Sequence, residues 1–362
     1  MFGPKIYELS LVKNYVSHWG LAEACRELIQ NALDSDSPFV YAFEKSDDET
    51  YSLHLTSEFA KLSPQTLLLG ATSKADSKDA IGSFGEGYKI ALLVLTRMGY
   101  DVDMLNGDVL WKPRFRFNRQ FGEELLAIEE SQSPVRGNKG LTFVVHGLSG
   151  ADIEQVKASC IRMQDHIGAI RMTSYGDILM ERPGELYVGG LLICKTELKY
   201  GYNIKPEFIR LERDRQTVAD WDLKSITKEM WFETKEFDQI AELVQAGAED
   251  VEYVKYGCPE MVKEACYQLF RKSNPDALVA GSQTELKEMI RRGLTKTVYV
   301  NGGMHYAISN APSYVKETRQ LVAVQSPTEC LRQWLSANRS EMRSKSIEAF
   351  KDLITTSIGW KA

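Results

Sequence analysis

The sequence has no run of about 18 apolar residues, so it offers no membrane-spanning helix. Its longest apolar run near a helix is Ile90 to Leu95. Met1 to Ser17 has no apolar core of signal-peptide length, and the expected location is therefore cytoplasmic. Six cysteines (Cys25, Cys160, Cys194, Cys258, Cys266, Cys330) are scattered with no C-x-x-C pair, which removes the basis for a zinc knuckle or redox motif. Reduced thiols are the simpler reading in a chain of 362 residues. An excess of basic charge is also missing. Lys plus Arg total 44 against 50 Asp plus Glu, a net charge of −6, so sequence-independent nucleic-acid binding is not indicated. Neither G-x-x-x-x-G-K-[ST] nor G-x-G-x-x-G occurs, which excludes a Walker loop and a dinucleotide fingerprint. No internal repeat or low-complexity segment is present.

What remains is an ordinary globular composition, 43% hydrophobic and 26% charged. The length suits two or three domains at roughly 100–200 residues each. Leu21, Cys25, Leu28, Ile29 and Ala32 recur at helical spacing and predict an amphipathic helix over Trp19 to Leu33. Tyr51, Leu53 and Leu55 alternate with Ser52, His54 and Thr56, as in a half-buried strand. Ile90 to Met98 reads as a buried helix after a glycine-rich loop, and Trp111 to Phe117 and Leu141 to His146 read as strands. Arg182-Pro183-Gly184 suggests a domain boundary, and Gly189-Gly190 a two-residue hairpin turn. Further on, Asp220 to Gly247, Glu260 to Arg271, Thr284 to Arg292 and the region from Ser326 onward read as helical. Thr297 to Val300 reads as a strand, and Asn301-Gly302-Gly303 as a turn. Glu249-Asp250 and Gly257-Cys258-Pro259 mark a second junction. His305 has no Cys or His at metal-ligand spacing.

Two constellations carry chemistry. In Glu27 to Asp34, the residues Glu27, Asn31 and Asp34 stand four and three apart, one stripe of an α-helix. The plain reading of that stripe is a solvated face, shared with Glu23, Arg26 and Gln30. The functional reading is a magnesium-nucleotide site, with a carboxylate to take a proton from water and an amide oxygen one turn later for a hard cation. In Gly82 to Lys89, three glycines stand directly before an apolar helix, where free N–H groups and Lys89 could meet an anion. Upstream, Gly70-Ala71-Thr72-Ser73-Lys74 is a polar stretch able to close over phosphates. The plain reading of the loop is a flexible turn.

Together, a Glu-x-x-x-Asn-x-x-Asp helix, a strand, a Thr-Ser-Lys segment and G-x-F-G-x-G-x-K resemble the GHKL ATPase superfamily. That group includes the gyrase B subunit, the ninety-kilodalton heat-shock chaperones, histidine kinases, MutL and the MORC proteins. The resemblance covers about residues 5 to 150. It implies an α+β fold: a Bergerat-type α/β sandwich over 1–182, a transducer-like α/β domain over 183–250 and a C-terminal mixed α/β region over 251–362. It implies ATP and Mg²⁺ as cofactors. Glu27 would be the general base, Asn31 the Mg²⁺ ligand and Asp34 a support at the nucleotide edge. Gly82, Phe84, Gly85, Gly87 and Tyr88 would form the phosphate-wrapping loop, with Ser73, Lys74 and Lys89 nearby. Gly140-Leu141-Thr142 resembles the last motif, which makes Thr142 a site candidate. The family's Asp-x-Gly-x-Gly has no counterpart in Thr56 to Ser63, where Glu58 or Ser57 is the available acceptor for a base.

The charged stretch Lys205 to Arg215 resembles the catalytic-loop region of chaperone and MORC-like members, with Arg213 as the phosphate sensor; the plain reading is a surface ion-pair cluster. The function so implied is a Mg-dependent ATP-binding protein and slow ATPase that switches conformation through closure of a homodimer, with Tyr7 to Trp19 as the exchanged segment. A further protein partner would engage the C-terminal half. The competing reading is a non-hydrolysing Bergerat-fold interaction protein with a degenerate nucleotide site. A histidine kinase or a type II topoisomerase fits less well, for want of an upstream phosphoacceptor helix or a Tyr-bearing cleavage region.

Overall fold

Leu53 and Leu55 point to one side of their strand and Ser52, His54 and Thr56 to the other, and this alternation organises the first half of the chain. The computed structural model describes residues 5–34, 37–46, 49–68, 86–135, 137–211, 218–292, 294–315, 331, 334–336 and 338–357. It divides into two units, Met1–Lys235 and Glu236–Ala362.

In the first unit, seven strands form one sheet: β1 (Lys5–Val12), β2 (Phe39–Lys45), β3 (Tyr51–Ser57), β4 (Val102–Asn106), β5 (Val109–Asn118), β6 (Glu123–Gln132) and β7 (Leu141–Leu148). Their order is β1-β6-β5-β4-β7-β3-β2. Every neighbouring pair is antiparallel. Three helices, α1 (Leu21–Leu33), α2 (Gly87–Met98) and α3 (Gly150–Ala158), pack on one face. Their apolar side chains share a core with Leu53, Leu55, Met104, Trp111, Ile128, Leu141, Phe143 and Val145. Register explains the choice of residues. Leu53 pairs Val145, Leu55 pairs Phe143 and Met104 pairs Phe143, so one parity of β3, β4 and β7 faces the helices. In α2, Ala91 to Leu95 are wholly buried. At about 1.5–3 kcal/mol for each fully buried large apolar side chain, this helix anchors the layer. It ends where Gly99 adopts φ +89 and Tyr100 N–H bonds the Leu95 carbonyl.

From that helix, Arg97 donates to the carbonyls of Lys13, Tyr15, Val16 and Trp19 at 2.9–3.2 Å. It thereby holds the turn between β1 and α1, in which Val16 takes φ +46, a costly conformation for a β-branched residue. β1 pairs with β6, and the turn that follows it rests on Arg97.

A second sheet follows: β8 (Ile170–Thr173), β9 (Gly176–Leu179), β10 (Glu185–Val188), β11 (Leu191–Lys195) and β12 (Gly201–Ile204), in the order β11-β10-β12-β9-β8. The β10–β11 hairpin turns on Gly189 and Gly190, at φ +59 and +87, as the sequence predicts. The boundary expected at 182 is not found there. Arg182-Pro183-Gly184 joins β9 to β10, and both strands pair with β12. A Pro-Gly pair marks an intrasheet turn as readily as a linker. The five strands follow one another without an intervening helix. Helix α4 (Asp220–Thr234) closes the unit, and its wholly buried Trp231 donates from Nε1 to Tyr202 Oη at 2.8 Å.

The second unit contains α5 (Phe237–Ala246), α6 (Glu260–Ser273), β13 (Leu278–Ala280), α7 (Gln283–Arg291), β14 (Thr297–Tyr299), α8 (Gly302–Ser309) and α9 (Ser344–Ser357). β13 and β14 are parallel, with α7 as their connection. The junction expected near 250–259 falls inside this unit. Asn301-Gly302-Gly303 is a helix start rather than a turn. Asn301 Oδ1 accepts the Met304 N–H at 2.9 Å and caps α8, a role that Asn fills well. The fold is thus mixed α+β, and no helix among the described residues is long and apolar enough to cross a membrane.

Candidate functional site

Helix α1 begins at Gly20, whose N–H donates to Glu23 Oε2 at 2.9 Å, and Trp19 is buried just before it. The apolar stripe lies on the sheet as predicted. The polar stripe is not the solvated face that its composition suggests. Glu27 is 1% exposed, Gln30 3% and Arg26 4%. The reason is tertiary: α1 lies on the seven-stranded sheet and also meets β11 of the second sheet, a contact that helical periodicity does not encode. Asn31 and Asp34, four and seven residues on, are half-buried. The Glu27–Asn31–Asp34 stripe therefore runs from a deep carboxylate to an accessible end. Arg26 Nη2 lies 3.4 Å from Glu27 Oε1, and Arg26 Nη1 lies 3.4 Å from the Leu192 carbonyl.

Alongside α1 packs α2, which brings in Gly87, Tyr88 and Lys89. Tyr88 Oη donates to the Thr66 carbonyl at 2.9 Å, and burial pushes its phenol up to about 12, against the hydrogen bond with Thr66. The Lys89 side chain is wholly buried and its ammonium donates to the Leu68 carbonyl. Burial lowers its proton affinity, an effect that Glu86 partly offsets. A cation in a first helical turn also opposes the helix dipole. Both side chains thus hold the chain at Thr66 to Leu68, immediately before residues 69–85. Ser73, Lys74, Gly82, Phe84 and Gly85 lie outside the described residues, as does Arg213.

Two expected contributors are placed apart from α1. Thr142 Oγ1 lies 3.0 Å from Thr56 Oγ1, on the sheet face opposite the helices. Leu141, one residue earlier, is the one that turns inward. A one-residue offset in a strand exchanges the faces, so the displacement of Thr by one position removes it from the helix side. Glu58 lies just beyond β3, exposed, with its N–H bonded to the Pro38 carbonyl at 3.1 Å. Ser57, of the same parity as Leu53 and Leu55, is 4% exposed beside Leu141 and faces the helix side, unlike the exposed Glu58. Gly140 has a role independent of any ligand. A Cβ there would sit 2.5 Å from the Ser57 carbonyl oxygen.

Sequence reasoning missed a polar cluster on the outer sheet face. Ligand atoms of Asp101, Asp103 and His146 lie within 4.8 Å of one another. His146 Nδ1 is 3.0 Å from Ser52 Oγ, and its Nε2 is 3.2 Å from Asp103 Oδ2. Lys112 Nζ sits 2.7 Å from Asp103 Oδ1, and Arg114 Nη1 donates to Asp101 at 2.9 Å. Burial would raise the Asp101 carboxyl, but Arg114 and Lys112 outweigh it and hold it below its ordinary value. The cluster already contains its own cations. Its signal in the sequence is the i, i+2 spacing of Asp101 with Asp103 and of Lys112 with Arg114, which shares a face only once β4 and β5 pair.

A family match falls on the part of the first unit after β7. Residues 151–236 match the family described as the Mycoplasma pneumoniae MPN635 N-terminal domain. They span α3, the second sheet and α4, and end where the first unit ends. An uncharacterized protein of Mycoplasma pneumoniae (strain ATCC 29342 / M129 / Subtype 1) is 24% identical over 221 residues, covering 58% of this chain and 89% of the relative.

Proposed function

We propose that the first unit binds ATP with Mg²⁺ on the helix side of the seven-stranded sheet, in a Bergerat-type site, and hydrolyses it slowly. The observation that carries this reading is the burial of Glu27 at the inner end of a stripe that opens toward Asn31 and Asp34. A wholly buried carboxylate is rare in a purely structural helix and costly to keep. Glu27 would hold the proton taken from an attacking water. Asn31 offers the hard amide oxygen that Mg²⁺ accepts, and the part of that ion would be to neutralise phosphate charge. The layer of helices over one face of an antiparallel sheet agrees with the same reading. Closure of two copies over bound nucleotide would make the cycle a switch, because only a differential affinity of ATP for the closed state can shift that equilibrium.

Thr142 on the outer face and the exposed Glu58 favour a second reading, in which the site has lost its base contacts and serves an interaction protein without turnover. Calorimetric titration with a non-hydrolysable ATP analogue and Mg²⁺ separates the two. Saturable binding that weakens at least tenfold (about 1.4 kcal/mol) in Asn31→Ala supports a nucleotide site, and turnover abolished in Glu27→Ala supports hydrolysis. An absence of binding at millimolar nucleotide refutes the first reading. Solution mass measured with and without Mg-ATP tests closure of the dimer.

A further inference from the structure

Residues adjacent in an α-helix point about 100° apart and do not face each other. The contact between Arg26 and Glu27 is therefore not a default of helix geometry. The guanidinium is drawn sideways, between the Trp19 ring (5.9 Å to its centroid), the Glu27 carboxylate and the Leu192 carbonyl. It is nearly inaccessible to solvent. One nitrogen addresses the carboxylate and another the carbonyl, both at 3.4 Å, longer than the 2.7–2.9 Å usual for a charge-assisted bond. The fork is shared between two acceptors rather than closed on either.

The second acceptor is supplied by an irregularity in β11. Leu186 pairs Cys194 but Tyr187 pairs Leu192, so Ile193 is an extra residue, a β-bulge. β11 is an edge strand of its sheet. Its other side bonds the chain after α3, where Leu192 N–H donates to the Ser159 carbonyl at 2.9 Å. The bulge lies in the segment that matches the MPN635 family description, outside the motifs that carry the nucleotide resemblance.

We infer that Arg26 is a positioning residue that couples the Glu27 carboxylate to β11, so that the state of the candidate site and the placement of the second sheet are read by one guanidinium. This rests on the proposed function for its chemical meaning. A rigid planar fork cannot follow two acceptors that move independently. A change at Glu27 on nucleotide binding therefore alters the hold on Leu192, and by reciprocity a displacement of β11 alters the restraint on Glu27.

The test is hydrogen exchange of the full chain over residues 190–195, with and without the Mg²⁺ complex of the ATP analogue, in wild type, Arg26→Ala and Arg26→Lys. The expected result is a nucleotide-dependent change in exchange at β11 that disappears in both variants. Analogue affinity should stay within about twofold, while kcat falls at least tenfold in Arg26→Ala. Arg26→Lys restores part of kcat but not the β11 response, because one ammonium does not bridge both acceptors; it also serves if Arg26→Ala fails to fold. A β11 response that persists in the variants overturns the inference. If the wild type binds no analogue, the nucleotide reading fails, and Glu27→Gln then decides the coupling alone: altered exchange at β11 upholds it and unaltered exchange refutes it.

Discussion

Glu130 offers the sharpest test of how β1 is held. Its carboxylate accepts from Trp111 Nε1 at 3.0 Å, Tyr7 Oη at 3.1 Å and Lys5 Nζ at 3.1 Å. Trp111 is 1% exposed, so its N–H loses its protein acceptor in a largely buried position if the carboxylate is removed. A stranded buried donor costs about 1–3 kcal/mol. The Tyr7 bond adds about 1 kcal/mol, and the pair with Lys5, whose side chain is largely exposed, adds little. Glu130→Ala should therefore lose about 2–4 kcal/mol. Glu130→Gln, which keeps one carbonyl for Trp111 and Tyr7, should lose about 1 kcal/mol. In a unit of this size the alanine variant should melt roughly 5–15 °C lower. The pH dependence carries a sign. Burial raises the Glu130 carboxyl, but the bonds from Trp111, Lys5 and Tyr7 outweigh it and hold it below its ordinary value. Its contribution is thus fully present above the unfolded carboxyl value of about 4.3 and is lost as pH falls through the lower folded value. The gap between wild type and Glu130→Gln should be constant from neutral pH to about pH 5 and should shrink below about pH 4. Thermal unfolding by near-ultraviolet circular dichroism, with hydrogen exchange over residues 5–12, measures both. An alanine variant within about 0.5 kcal/mol of wild type, or a gap that is unchanged at pH 3, would refute the reasoning.

Two further outcomes follow from single side chains. Arg97→Ala frees four carbonyls in the turn that holds Val16 at positive φ. It should cost about 1–3 kcal/mol and accelerate exchange and proteolysis at residues 13–19, with Arg97→Lys recovering only part; a turn that stays protected in Arg97→Ala would contradict this. Burial pushes the thiols of Cys25 and Cys266 up to about 12, whereas Cys194 is half-exposed. Alkylation at pH 8 followed by peptide mapping should label Cys194 well before Cys25 and Cys266, which should stay unlabelled until the chain unfolds. Equal rates at Cys25 and Cys194 would show that α1 opens readily.

Local pattern made much of the framework legible. The helices at 21–33 and 87–98, the strands at 51–57, 109–118 and 141–148, and the glycine hairpin at 189–190 follow from spacing and turn chemistry, because backbone geometry sets those periods. Misreadings occurred where one local signal has two tertiary uses. Pro183-Gly184 turns within a sheet instead of separating domains, and Asn301 caps a helix instead of making a bare turn. The same limit governs the site. The sequence alone places Glu27, Asn31 and Asp34 on one stripe, since three residues at helical spacing must share a face. Whether that face meets water or protein is decided by the elements packed around α1, namely α2, α3, β3 and the distant β11. Only the tertiary structure buries Glu27 beside Arg26 and brings Arg26 to the Leu192 carbonyl of β11, turns Thr142 outward and Ser57 inward, and gathers Asp101, Asp103, His146 and Lys112 on the outer face. Register and layer packing are long-range choices of the whole sheet, and no window of neighbouring residues contains them.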